Sequence, residues 1–181
     1  MDATAHYRAM ARYNRLMNAR LYDAAAGLPD ADRKRDLGAF FRSIHGTLNH
    51  LLLADRAWLG RFTGDRALGV SLGEDGRPIA ITSLGQELYA DFARLRAERE
   101  RTDAAIVLWT DGLSAEALAR PLAYKTFNGT PCEHPLWQAL SHFFNHQTHH
   151  RGQATALLTR LGVDPGATDL IAFLRSGEIA L

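Results

Sequence analysis

Apolar side chains recur every three or four residues in four long stretches of the chain, the spacing that places them on one face of an α-helix. The stretches extend from about Ala3 to Gly27, from Phe40 to Phe62, from Ser83 to Thr110 and from His134 to Leu161. Ser83 and Gln86 match the capping box that begins many helices, and Gly162 with Pro165 beyond it favours the end of the last one. The pattern therefore predicts four long helices.

The segments between these helices differ in character. The stretch from Gly64 to Thr82 is rich in glycine and lacks helical periodicity, so we expect a long crossover there. Two brief strands around Asn128 and Gly129, within Leu122 to Glu133, form the strongest short hairpin signal. The sequence thus predicts an all-α fold, a four-helix bundle with a long crossover between the second and third long helices and a small β-hairpin before the fourth. The length favours a single domain over residues 1–181.

Composition and charge limit the kinds of binding partner that we expect. The formal net charge is +1, and the arginines alternate with acidic residues instead of forming a basic stripe. We therefore expect no nucleic-acid partner and no anionic membrane partner. No signal peptide and no membrane span are predicted, and the single cysteine, Cys132, fits a reducing compartment, so we expect a cytoplasmic protein. Cys132 has no base beside it in a recognisable pattern, and a nucleophilic role is disfavoured.

Four of the eight histidines lie between His142 and Gln153. His146 and His150 are four residues apart and fall inside or beside the apolar arc of the last helix, so both point inward. His142 and His149 fall on its polar flank and are expected at a rim. Side chains at this spacing can bind one metal ion, but two core histidines satisfied by hydrogen bonds are an equally good interpretation of the spacing alone.

A third metal ligand is expected from a neighbouring helix, because helical bundles build metal sites from side chains on facing helices. His50 is the candidate, since it lies near the middle of the second helix as the pair lies near the middle of the fourth. The alternative for His50 is an ordinary histidine at the edge of the core. Three imidazoles would leave one or two coordination positions open, the arrangement of reactive zinc sites. Imidazole also binds Ni²⁺, Fe²⁺ and Cu²⁺.

Several other polar residues have both a structural and a functional interpretation. Asp55 falls in the middle of an apolar stripe, where a structural ion pair is favoured over a role as acceptor for a metal ligand. Asn14 and Asn18 lie at the border of the first apolar stripe and could form a polar spot against the core, but a surface pair of amides is favoured. Gln147 and Tyr13 are further candidates, with Asp55, for orienting substrate or ligands. The charged run from Arg94 to Asp103 is predicted to be a solvated face.

Three segments resemble a known family: YNRLMNARLYDA on the first helix, TLNHLLLADRAWLGRF on the second and HFFNHQTHHRGQATALL on the fourth. They are similar to the DinB-like proteins of the DinB and YfiT-like metal-binding superfamily. The resemblance implies a four-helix bundle, commonly a homodimer, with a divalent metal on three histidines, which fall here on His50, His146 and His150. Zn²⁺ and Ni²⁺ are the expected metals, and Fe²⁺ is compatible. No reaction is implied.

Two classes of function remain open. The first is an enzyme, a metal-dependent transferase or hydrolase whose open coordination position activates water or a substrate thiol, because related branches of the superfamily use low-molecular-weight thiols. The alternative is a non-catalytic, metal-stabilised stress-response or partner-binding module that presents the crossover to a partner. A DNA-binding role, suggested by the family's damage-inducible name, conflicts with the near-neutral charge.

Overall fold

The computed structural model describes residues 3–178, and helix predominates in them. The elements in chain order are α1 (Ala3–Ala26), α2 (Asp30–Lys34), α3 (Ile44–Thr63), α4 (Phe92–Asp111), α5 (Ala115–Ala119), β1 (Pro121–Lys125), β2 (Pro131–Pro135), α6 (Leu136–Arg160) and α7 (Leu170–Ser176). The antiparallel hairpin β1–β2 directly precedes the last long helix, as predicted. Residues 179–181, at the end of the C-terminal segment, lie outside the described part.

The four long helices pack against one another in pairs. α1 contacts α4 and α6, and α3 contacts the same two helices. The apolar stripes of the sequence meet between them, and fully buried side chains include Leu21, Leu48, Leu95 and Leu158. Each such side chain contributes about 1.5–3 kcal/mol relative to its exposed state. The mutual burial of these stripes holds α3 and α6 side by side, which is the arrangement that the histidines require.

Helix α3 begins later than its periodicity suggested, at Ile44 instead of Phe40. Its N-cap is Ser43, whose hydroxyl accepts a hydrogen bond from the Gly46 amide at 2.9 Å. The residues just before form a tight turn in which Arg42 has a positive φ of 66°. A side chain at position 46 would place its Cβ 2.2 Å from the carbonyl oxygen of Phe41. The absence of a side chain at Gly46 therefore lets this turn lie directly against the first turn of α3.

The start of α4 was predicted wrongly. Ser83 and Gln86 do not cap a helix, because Gln86 instead accepts hydrogen bonds from Thr82 through its side-chain oxygen. The helix begins at Phe92, with Asp91 accepting a hydrogen bond from the backbone of the third helical residue at 2.7 Å. A Ser-x-x-Gln pattern is compatible with a local turn as well as a helix start, and here the turn is adopted.

The crossover between α3 and α4 comprises residues 64–91 and is held on α3 by a buried amide. Asn49 accepts hydrogen bonds from the backbone amides of Leu88 and Tyr89 at 2.8 and 2.9 Å. His45 is also buried here, and its Nε2 atom lies 2.9 Å from the carbonyl oxygen of Tyr89. The crossover therefore covers the outer face of α3.

A buried charged network joins the long helices. Arg99 on α4 contacts Asp55 on α3 at 2.6 Å and Asp103 at 2.8 Å. The structural ion pair favoured for Asp55 is confirmed. The solvated face predicted for residues 94–103 is wrong at Arg99 and Asp103, which are 2% and 3% exposed. A charged run cannot by itself show that two of its members face a carboxylate and two amides on other helices.

The expected surface location of Asn14 and Asn18 is also wrong. Both amides are buried and donate hydrogen bonds to the Asp103 carboxylate, Asn18 at 3.0 Å and Asn14 at 3.3 Å. Asn14 also accepts a hydrogen bond from Arg151 of α6. Buried polar groups require such partners, and the network supplies them across three helices. It fixes the rotation of α6 relative to α1 and α4.

Both ends of α6 follow local signals. Pro135 precedes its first residue, and Gly162 has a φ of 77°, the left-handed conformation that ends many helices. The tail then returns along α1, where Phe173 of α7 packs against Tyr13 and Met17. Within residues 3–178, no helix combines the length and apolar character that a bilayer crossing requires.

Candidate metal centre

Three histidines from two helices converge at one level of the protein. α6 places His146 and His150 one turn apart, and α3 places His50 opposite them. One ring nitrogen from each residue lies within 4.8 Å of the other two. Their ring centroids are separated by 4.3–5.2 Å. The expected convergence of the three side chains is therefore present.

The outer nitrogens of two rings are held by acceptors. His50 Nδ1 lies 2.8 Å from the carbonyl oxygen of Leu84, and His150 Nδ1 lies 2.8 Å from the side-chain oxygen of Gln153. Because an oxygen of this kind can only accept, each Nδ1 carries the proton and each Nε2 is left with a free lone pair. Such contacts orient metal-binding histidines in general. We therefore assign Nε2 as the available donor atom of His50 and His150.

The spacing of the donors fits a metal ion. The Nε2 atoms of His50 and His146 are 3.2 Å apart. Two nitrogens bound tetrahedrally at about 2.0–2.1 Å from one Zn²⁺ would be about 3.3 Å apart. A pair of lone pairs at this distance with no cation between them would repel, unless one nitrogen keeps its proton and donates it to the other. The donor set and its geometry thus fit a divalent cation.

The histidines are neutral at physiological pH. Burial lowers the pKa of His146 to about 3 and that of His50 to about 4. Burial also lowers the pKa of His150, although the hydrogen bond that its Nδ1 donates to Gln153 acts in the opposite direction. A histidine must be neutral at the coordinating nitrogen to bind a metal, so protons compete weakly at these positions. The desolvation that destabilises the charged imidazolium therefore favours the neutral imidazole, which is the form that binds a metal.

Phe41 forms one wall of the centre and was not identified from the sequence. Its ring stacks on His50 with centroids 3.8 Å apart and planes at 18°, and it meets the edge of His150 at 5.4 Å. The close approach of the turn at Gly46 positions this ring. Phe41 covers one side of the three histidines with an apolar surface, which excludes water from that side.

The centre borders a cavity of about 500 Å³. Its walls come from α3, α6, the crossover and the hairpin, and two of the three histidines, His50 and His146, contribute to them. Most of the wall is apolar, and among the described residues no aspartate or glutamate lines it. A cavity of this size accommodates a small molecule. A ligand in it would reach the inner histidines.

The remaining candidate residues lie at different distances from this centre. His142 lines the cavity, with its ring 5.8 Å from that of His146, and burial lowers its pKa. His149 is exposed and contacts Gln153 at 3.2 Å. Cys132 lies opposite Tyr124 in the hairpin. Gln147 is fully buried, and its side-chain amide has no hydrogen-bond partner in the described part of the chain.

Two of the suggested orienting residues are engaged elsewhere. Asp55 pairs with Arg99, and Tyr13 donates a hydrogen bond to the Thr168 carbonyl in the tail. The residues that do orient the histidines were missed. Gln153 was detectable in principle, because it follows His150 by three positions on the same helix. The Leu84 contact uses a backbone carbonyl, which has no side-chain signature in a sequence.

Known proteins resemble this chain over most of its length. The chain is similar to Protein DinB of Bacillus subtilis (strain 168), with 26% identity over 163 residues that cover 90% of each sequence. The profile of the DinB family matches residues 1–179. A match over nearly the whole length, together with three histidines close enough to hold a metal ion, agrees with the resemblance noted in the sequence. The chain belongs to the DinB family.

Proposed function

We propose that the protein binds one divalent metal ion through Nε2 of His50, His146 and His150. The observation that carries this proposal is the 3.2 Å separation of two Nε2 atoms, combined with the anchoring of the outer nitrogens of His50 and His150. Zn²⁺ and Ni²⁺ are the metals we expect, and Fe²⁺ is compatible, because imidazole serves all three. Because His50 and His146 line the cavity, a coordination position left open by the three histidines would be accessible from it.

We further propose that the centre is catalytic, as a metal-dependent transferase or hydrolase acting on a small molecule, with a thiol as the favoured nucleophile. A bound divalent cation supplies Lewis acidity that lowers the pKa of a coordinated water or thiol. The chain's own residues do the rest. The apolar wall excludes water, and Leu84 and Gln153 hold two of the rings in place. His142 is a neutral imidazole in the cavity wall that can accept a proton from a bound group.

The alternative is a non-catalytic, metal-stabilised module in stress response or partner binding. It is favoured by the way the three histidines join α3, α6 and, through the Leu84 carbonyl, the crossover. Metal binding at this junction would stabilise the crossover, which would then present its outer surface to a partner. The two functions differ in whether the metal-loaded protein turns over a substrate.

The metal proposal is tested by elemental analysis of protein purified without a metal-affinity tag. We expect about one metal ion per chain, and no stoichiometric metal in a triple variant with His50, His146 and His150 replaced by alanine. The matched control is His149→Ala, which removes an exposed histidine of the same helix. Equal metal content in the triple variant and the wild type would overturn the proposal.

The catalytic proposal is tested with a small thiol and a chromogenic electrophile, 1-chloro-2,4-dinitrobenzene. We expect turnover by the metal-loaded protein that is abolished by chelation and by His150→Ala. A metal-dependent increase in thermal stability without turnover of this pair or of a chromogenic ester would support the non-catalytic module instead.

We also propose that α1, α3, α4 and α6 form a four-helix bundle in a single domain, and that the protein is a cytoplasmic homodimer. The pairwise packing of these helices supports the bundle, and a single cysteine is consistent with a reducing compartment. Light scattering after size-exclusion chromatography measures the oligomeric state, and a monomer at micromolar concentration would contradict the homodimer.

A further inference from the structure

Arg61, in the last turn of α3, lies in the cavity wall at the end nearest the hairpin. Its guanidinium carbon is 4.6 Å from the ring centroid of Trp58 and 5.0 Å from that of Tyr124. One of its nitrogens, Nη2, donates a hydrogen bond to the Lys125 carbonyl at 3.2 Å. Stacking on two aromatic faces and one backbone contact hold the guanidinium in a defined orientation. Its remaining N–H groups are available to a ligand.

No acidic residue in the described part of the chain pairs with the charge of Arg61. The other arginine of the cavity wall, Arg56, pairs with Glu98 and also donates hydrogen bonds to Ser71 and Tyr89. Arg61 forms no ion pair with any described residue, and the described cavity wall contains no carboxylate. Burial lowers the pKa of Arg61, which reflects the partial loss of its hydration. A partly desolvated cation without a counterion is costly, and a bound anion would offset that cost.

The position of Arg61 defines a second end of the cavity. His50 and Arg61 are separated by eleven positions on α3, which corresponds to about 16 Å along a helix axis. The Arg61 side chain leans back toward the N-terminus of its helix, as helical side chains do. Between the two ends lie Trp58 and His142, with ring centroids 5.3 Å apart. A ligand that contacted both ends would therefore be extended, with an apolar middle.

We propose that Arg61 is an anion-binding subsite that selects ligands with a carboxylate, bound at the end of the cavity opposite the histidines. A single guanidinium matches the charge of one carboxylate and its two oxygens. A phosphate would call for further cations or backbone amides, and no second unpaired cation lies in the described wall. The assignment of the other ligand end to the histidines rests on the proposed function, whereas the Arg61 subsite does not require a metal.

The test uses the full chain in its metal-free form, with 4-phenylbutyrate as the probe and 4-phenylbutyramide as its neutral counterpart. Binding is measured by calorimetry, and contact with the subsite by the NMR signal of the Arg61 Nε–H group. We expect the affinity of the wild type for the carboxylate to be at least about 10-fold higher than for the amide, since a hydrogen bond to a charged group contributes roughly that ratio. Inorganic phosphate is expected to bind more weakly than the carboxylate probe.

Four variants make the result specific. Arg61→Gln is expected to abolish the preference for the carboxylate, and Arg61→Lys to retain part of it. Arg66→Gln removes the same charge from an exposed residue that does not line the cavity, and it should leave the preference unchanged. An undiminished preference in folded Arg61→Gln would overturn the proposal, as would equal binding of the two probes by the wild type. Tighter binding of phosphate would reject a carboxylate as the selected group. His146→Ala should keep the preference, which separates this outcome from the metal proposal.

Discussion

Replacement of Arg99 by methionine tests the role of the buried charged network. Arg99 is 2% exposed and contacts two carboxylates, Asp55 at 2.6 Å and Asp103 at 2.8 Å. Asp103 keeps two amide donors in the variant. Asp55 has no other hydrogen-bond donor among the described residues, and its second carboxylate oxygen is without a partner there. Methionine preserves most of the side-chain volume, so the loss concerns the charge.

The expected destabilisation follows from this burial. Removing one partner of a buried ion pair costs about 3–5 kcal/mol, because the remaining carboxyl is either left as an uncompensated charge or must bind a proton for the chain to fold. For a chain of this length each kcal/mol lowers Tm by about 2–4 °C, so we expect a decrease of about 6–20 °C. The matched control is Arg96→Met, one turn earlier on α4. Arg96 pairs with Asp23 and Glu100 at the surface, and its loss should cost about 0–1 kcal/mol.

The pH dependence supplies an independent signature. Burial raises the pKa of the Asp55 carboxyl to about 7, against the lowering by Arg99. Without Arg99 the pKa rises further, so the folded variant retains a proton that the wild type releases above pH 7. The difference in unfolding free energy should then grow by up to about 1.4 kcal/mol per pH unit above pH 7. Urea denaturation at several pH values measures it. A loss below 1 kcal/mol that matches Arg96→Met and is independent of pH would refute the reasoning.

Three further predictions concern the metal centre and its surroundings. A divalent metal at a free concentration of 100 times Kd should raise the unfolding free energy of the wild type by about 2.7 kcal/mol. His149→Ala should respond like the wild type, and His146→Ala should not respond. Thermal melts in which all three proteins respond equally would contradict this. Gly46→Ala should destabilise the protein, because the new Cβ would lie 2.2 Å from the Phe41 oxygen, whereas Gly152→Ala, in open space on α6, should be neutral or stabilising in the same denaturation assay. In the metal-free protein the pKa of His146 is lower in the folded than in the unfolded chain. Below pH 6.5 the unfolded chain therefore binds a proton that the folded chain does not, and this favours unfolding. The wild type should lose more stability between pH 7 and 5 than His146→Ala. Equal losses in urea would show that His146 is not desolvated.

Local signals accounted for much of the secondary structure. The extents of α1 and α6, the hairpin at Asn128 and Gly129, and the helix end at Gly162 follow from periodicity, turn chemistry and the special conformational range of glycine. The start of α4 did not follow, because the backbone before it is held by Asn49, a residue far away in the chain. A contact of that kind outweighs a capping pattern.

The sequence likewise predicted some features of the candidate site and not others. The spacing of His146 and His150 on one helix showed that they share a face. The position of His50 near the middle of the second long helix made it the candidate third ligand, and the family resemblance implied the same three residues. The sequence also determined that Asp55 needs a partner, since a carboxylate in an apolar stripe is costly to bury. It did not reveal that Arg99 is this partner, nor that Asn14 and Asn18 are buried.

Only the tertiary structure decided the level at which the two helices meet, the stacking of Phe41 on His50, the Leu84 carbonyl behind it and the cavity with Arg61 at its far end. Helical spacing determines which side chains share a face, because 3.6 residues complete each turn. The rotation and height of one helix against another depend on how all their side chains pack together. Neither that packing nor a hydrogen bond to a backbone carbonyl can be predicted from a short stretch of sequence.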